Sequence, residues 1–202
     1  MFTDKTNIRK MKSLVVGAII LLMACNNNDS KDAVEKADSA NKAKADTTKN
    51  EESKATISVN KTDADFLVKA MEGSLMEVEL GHLAKQKSQN KRVKDFGDMM
   101  VKEHGAAGEK IKSLGSSFNV TLPGMTGDEN SKKIRDLNEK KSTKFDKAYI
   151  DDMVDDHKKD IKEFESASNN VENADIRAFI MATLPVLRRH LDSCTAIQTS
   201  IK

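Results

Sequence analysis

From about Thr62 to the end of the chain, apolar residues recur three and four positions apart, the spacing that gathers them on one side of an α-helix. Four stretches of this kind can be separated. The first, about Asp63 to Lys87 with Thr62 or Asp63 as N-cap, aligns Phe66, Ala70, Gly73, Glu77, Leu80 and Ala84. The second, about Asn90 to Gly115, aligns Val93, Phe96, Met100, His104, Ala107, Ile111 and Leu114. The third, about Ser131 to Ala167 with a break expected near 140–143, aligns Phe145, Tyr149, Met153, His157, Ile161 and Phe164. The fourth, about Asn173 to Ile201, aligns Ile176, Phe179, Thr183, Val186, Leu187, His190, Cys194 and Ile197. Between the second and third lies SSFNVTLPGMTGDEN, a loop by its Pro123-Gly124 and Gly127-Asp128 turn signals. Four amphipathic helices predict an all-α fold, most simply an up-down-up-down four-helix bundle.

Composition agrees with helices. Only 4% of the 202 residues are aromatic and two are proline, which argues against a β-sandwich. Two cysteines cannot form a disulfide framework or a cysteine-rich zinc module, so the fold must hold by packing. The net charge of +2, with acids interleaved among the bases, offers no reason to expect a nucleic-acid partner.

Glu77, His104, His157 and His190 each interrupt an apolar stripe near the middle of its helix. A lone histidine in such a position is ordinarily a hydrogen-bonded core residue, and a buried glutamate demands a partner. One from each helix, on four faces that point to one interior, is a different matter: together they form a candidate ligand set. His82, about 140° round the helix from Glu77, reads as a surface residue. Counted from the helix ends expected above, Glu77 and His104 differ in height by roughly 5 Å, and His157 and His190 by roughly 9 Å, a poorer match. Pro185 offers a kink or bulge that would correct it.

ADFLVKAMEGSLMEVELGHLAKQKSQNKRVKDFGDMMVKEH at 64–104, FDKAYIDDMVDDHKKDIKEFE at 145–165 and TLPVLRRHL at 183–191 resemble the family DUF4142, over roughly 62–200. The resemblance implies a ferritin-like four-helix bundle in a bacterial envelope protein, and implies no established activity. A carboxylate-bridged di-iron centre would need a Glu-x-x-His step on two helices. The positions three before the histidines are Val101, Val154 and Leu187, so that centre is not expected. Three imidazoles and one carboxylate would instead suit a single zinc, iron or manganese ion, or copper. Met100 and Met153 lie one turn before His104 and His157, as copper-favouring thioethers or as core filler. Asp160, three after His157, is placed to support that histidine from outside the ligand set. Asp156 is expected to be exposed, and Cys194 to be a buried free thiol.

The N-terminus reads as an address. Four bases in MFTDKTNIRKMKS precede the apolar run LVVGAIILLMA, too short to span a membrane and right for a secretory signal. It ends Leu22-Met23-Ala24-Cys25, which resembles the lipobox of bacterial lipoproteins and implies cleavage before Cys25 and lipidation of its sulfur. Acyl chains there would hold the chain on a bilayer. Asn26 after the cysteine points to the outer membrane. Cleavage removes four of the 34 basic residues and one of the 32 acidic ones, leaving a net charge of −1. Residues 26–60 hold no aromatic, Leu, Met, Gly or Pro and read as a disordered or weakly helical tether. The organisation expected is a signal peptide at 1–24, a lipidated tether at 25–60 and the bundle at 61–202.

Two function classes follow. One is a membrane-tethered, non-enzymatic structural or binding module whose inner polar residues close on one another and set helix register. The alternative is a mononuclear metal site with redox or stress-related chemistry. No nucleophile triad, phosphate loop or nucleotide fingerprint is present to suggest another enzyme.

Overall fold

A computed structural model describes residues 29–46 and 57–201. The signal segment and Cys25 lie outside the described residues. Among the described residues six helices follow in order: α1 (Asp29–Asp46), α2 (Lys61–Lys87), α3 (Lys91–Phe118), α4 (Asp128–Glu139), α5 (Ser142–Asn170) and α6 (Ala174–Gln198). No helix among the described residues is long and apolar enough to cross a membrane.

Asparagine starts three of the four long helices. Asn60 accepts from Asp63 N at 2.8 Å, Asn90 from Arg92 N at 2.9 Å, and Asn173 from Asp175 N and Ile176 N at 2.9 and 3.1 Å. Each bond satisfies an amide that the first turn leaves orphaned. The cap expected at Thr62 or Asp63 is therefore Asn60. Buried Asp63 instead accepts from the backbone amides of Glu172 and Asn173 at 2.9 and 3.1 Å, tying α2 to the turn before α6.

The four long helices pack in a square, α2 against α3 and α5, and α6 against the same two. Their core divides in two. One apolar cluster joins Leu67, Val68 and Met71 of α2 to Ile111 and Leu114 of α3 and to Ile176, Phe179 and Ile180 of α6. The other joins Leu80 and Ala84 to Val93, Phe96 and Met100, to Phe145, Tyr149 and Met153 of α5, and to Cys194 and Ile197. The stripe residues at 77, 104, 157 and 190 fall between the two clusters on every helix.

Cluster membership also gives the directions. α2 and α6 run from the first cluster to the second, while α3 and α5 run back. The expected simple up-down-up-down order of the long helices is thus corrected: α3 and α5 are parallel. The cause is α4, part of which was expected as loop and part as the start of the third helix. It climbs from about the middle of the bundle towards the second cluster, anchored at its start by Glu72, which accepts from Gly127 N at 3.0 Å, and at its end by buried Leu137. A helical bundle with one long crossover results, the connection of ferritin-like folds, and all four neighbouring pairs remain antiparallel.

Residues 29–46, expected in the tether, form a helix laid on the bundle. Its apolar contribution is small, chiefly buried Ala37. Polar pairing with the 119–121 loop holds it: Asn41 exchanges two hydrogen bonds with the Thr121 backbone at 2.9 and 2.7 Å, and Lys44 donates to Asn119 O at 2.8 Å. Hydropathy alone gives no sign of such an attachment, because it rests on backbone groups that the loop presents.

Candidate metal centre

α2 and α3 come close just beyond the site layer. A Cβ added to Gly81 would stand 2.7 Å from Gly97 O, and one added to Gly97 would stand 2.8 Å from Gly81 O. Only glycine permits this approach, which draws the Met100 and His104 turns of α3 inward.

His104, His157 and His190 meet in the layer between the two apolar clusters. Their ring centroids are 5.7 Å (104 to 157), 5.2 Å (104 to 190) and 5.3 Å (157 to 190) apart. All three are buried, and one ring nitrogen from each lies within 4.8 Å of the others. The expected height mismatch between His157 and His190 shrinks because α5 continues to Asn170 and α6 starts at Ala174. Counted from those ends the two histidines differ by roughly 4.5 Å at 1.5 Å per residue.

Hydrogen bonds fix the protonated nitrogen of two of the three rings. His157 Nδ1 lies 2.9 Å from the Met153 carbonyl oxygen, which can only accept, so this nitrogen carries the proton. His190 Nε2 lies 2.8 Å from Glu103 Oε2 and donates to that carboxylate. His157 Nε2, His190 Nδ1 and His104 Nε2 are left buried with no hydrogen-bond partner. Burial and the neighbouring imidazoles hold His104 well below the usual histidine range. Burial pulls His190 down to about 4 against the opposing effect of Glu103, and lowers His157 as well. Three neutral imidazoles with free lone pairs are the form in which histidine binds a metal. A tetrahedral ion with bonds of about 2.1 Å needs nitrogens about 3.4 Å apart, so small side-chain rotations would close the set.

Glu77 sits apart from that trio. It is fully buried in the same layer, 3.9 Å from His157 Nδ1, the nitrogen already bonded to Met153. Neither carboxylate oxygen has a hydrogen-bond partner. Burial, with a smaller contribution from Asp156, pushes its pKa up to about 8. Of the four stripe residues, the structure therefore gathers three at one point and places the fourth on the Nδ1 side of His157.

The supporting residues divide similarly. Met153 acts on His157 through its backbone carbonyl, while its side chain and that of Met100 lie in the second apolar cluster. Asp160 lines the cavity beside the histidines, and burial and Glu77 raise its pKa to about 7. Asp156, expected in solvent, is largely covered and salt-bridged to Lys133 at 2.7 Å. His82 is exposed, as expected. Glu103 is the functional residue that stripe reading misses. It falls one position off the seam, about 100° round α3, and only the packing of α6 against α3 brings it to His190 and Arg189. The acid beside one stripe histidine and the base beside another were the available signal.

A cavity of about 460 Å³ opens beside the trio, with His104, His190, Glu103 and Asp160 at its inner end. The chain matches the family described as domain of unknown function DUF4142 over residues 47–197. It belongs to the DUF4142 family. No curated protein and no solved structure matches it. The matched part of this DUF4142 chain holds every residue of the histidine layer and the cavity, while α1 precedes it.

Proposed function

We propose that this chain is a lipid-anchored protein of the bacterial cell envelope whose bundle binds one divalent transition-metal ion through His104, His157 and His190. The observation that carries the reading is the meeting of three buried, neutral imidazoles, each with a ring nitrogen that no protein group satisfies. Leaving such atoms unpaired is costly, and a metal accepts all three lone pairs at once. Three imidazoles with a position facing a cavity suit zinc, and iron(II) or copper share the preference for nitrogen, whereas manganese favours oxygen. His190 backed by Glu103, and His157 backed by the Met153 carbonyl, have the outer hydrogen bonds that orient metal-binding imidazoles. The envelope address rests on the signal segment and on Cys25.

The alternative, a closed polar network that only sets helix register, is favoured by the same two bonds. It is weakened by the bare ring nitrogens and by Glu77, whose oxygens accept no hydrogen bond.

Elemental analysis of the full-length chain, purified from membranes and exposed separately to zinc, iron(II), manganese and copper, tests the reading. Near-stoichiometric metal is expected in the parent and none in a still-helical His104→Ala/His157→Ala variant. Absence of metal from the parent under all four conditions would overturn it. Cys25→Ala is expected to move the chain from the membrane to the soluble fraction, and retention at the membrane would reject the anchor.

A further inference from the structure

The cavity has a shape and a lining of its own. On α2 it is lined from Thr62 to Ser74, roughly 18 Å at 1.5 Å per residue. Its volume lies within the range of small-molecule sites. Phe66, Phe164 and Phe179 line it as a cluster, with ring centroids 5.2 to 6.4 Å apart, and Ala70 and Ala107 complete an apolar wall. The inner end is polar, formed by His104 and His190 with Asp160 and Glu103.

Gly73 keeps this space open. It sits in the interior of α2, where glycine weakens a helix, and a Cβ added there would meet nothing within 4 Å. Close helix contact, the reason for Gly81, does not explain it. What a side chain at 73 would do is enter the cavity.

We propose that the cavity receives an organic acid with an apolar body, the body lying against Phe66, Phe164 and Phe179 and the carboxylate reaching the metal held by the three histidines. This deepens the metal reading and rests on it. Three neutral imidazoles leave the charge of a divalent ion uncompensated, so an anionic oxygen is preferred to a neutral head group. Glu103 does not supply it, because its carboxylate is held by Arg189 and His190. Of the acids along the cavity, Asp65 and Glu163 pair with Lys61 and Lys159 and Glu103 with Arg189, and Lys69 and Lys162 add two cations to the lining, so Asp160 beside the histidines is the acid that an incoming carboxylate must pass.

Cobalt(II) loaded into the full-length protein reports its own coordination through visible absorption, and it can be titrated with acetate, hexanoate, 3-phenylpropionate and 3-phenylpropan-1-ol. Hexanoate or 3-phenylpropionate is expected to shift the bands at a concentration lower than acetate by about tenfold or more, since only they bury an apolar body. The alcohol is expected to leave the bands unchanged. The tighter acid identifies the body as acyl or aryl. Gly73→Leu is expected to keep the cobalt bands and the acetate response while losing the advantage of the longer acids. Equal sensitivity to acetate and the longer acids, an equal response to the alcohol, or undiminished discrimination in Gly73→Leu would overturn the proposal. A protein that takes up cobalt and ignores every acid refutes this inference alone, whereas one that takes up no cobalt refutes the metal reading beneath it.

Discussion

Glu103 Oε2 stands 2.8 Å from His190 Nε2, and Arg189 holds the same oxygen. Burial pushes this carboxyl up, but the His190 bond and Arg189 outweigh it and hold it below the usual glutamate range, so it is charged when it orients the ring. Glu103→Gln keeps the shape and removes the charge that would make His190 a better donor to the proposed ion. Metal affinity is expected to fall by about tenfold or more. Competition against a coloured chelator measures it, and an unchanged affinity with unchanged helical content would remove Glu103 from the site.

An ion held by the three histidines would add to stability, because the three nitrogens meet only in the folded chain. At free metal about 100 times the dissociation constant the gain is about 2.7 kcal/mol. For a domain of this size that raises the melting temperature by about 5 to 10 °C. His104→Ala/His157→Ala is expected to show no such rise. A rise of equal size in the variant would mean that the ion binds elsewhere.

Two glycines of α2 are expected to respond oppositely to alanine. Gly81→Ala drives a methyl to 2.7 Å from Gly97 O and is expected to cost about 1 to 3 kcal/mol as α2 and α3 are forced apart. Gly73→Ala meets only open space and is expected to gain about 0.5 to 1 kcal/mol from helix propensity. Urea unfolding of the two variants decides the matter, and the same sign for both would contradict the packing described.

Cys194 is fully buried, donates to Leu191 O at 3.2 Å, and has its thiol pushed up to about 12 by burial. In a Cys25→Ala background, alkylation by iodoacetamide at about pH 8 is expected to be at least about a hundredfold slower in the folded protein than in denaturant. The raised value leaves almost no thiolate until pH approaches 12, so the folded-state rate should climb across the alkaline range where a free thiol has already levelled off. Rapid labelling of folded protein at neutral pH would show the thiol to be open.

Stripe spacing made the helices legible, and with them the histidines that meet. Three of four stripe polar residues converge because a stripe predicts which side of a helix faces the core. It does not predict on which side of a neighbouring ring a residue lies, so nothing in the stripe separates Glu77 from the nitrogens that it does not join. Glu103 was illegible for the converse reason: it lies off the seam of its own helix and becomes internal only through α6.

Directions and attachments were decided at the tertiary level. The residues of α4 carry a short helical pattern, yet nothing in that pattern says that the helix returns along the bundle and makes α3 and α5 parallel. That follows from Glu72 capping its start and Leu137 burying near its end, contacts between parts far apart in sequence. α1 is likewise held by hydrogen bonds to loop backbone. Local periodicity, set by the 3.6-residue turn, determined the elements, the inward faces and the polar layer. The cavity, the bare nitrogens and the support of His190 depended on which helices became neighbours, and that is a property of packing.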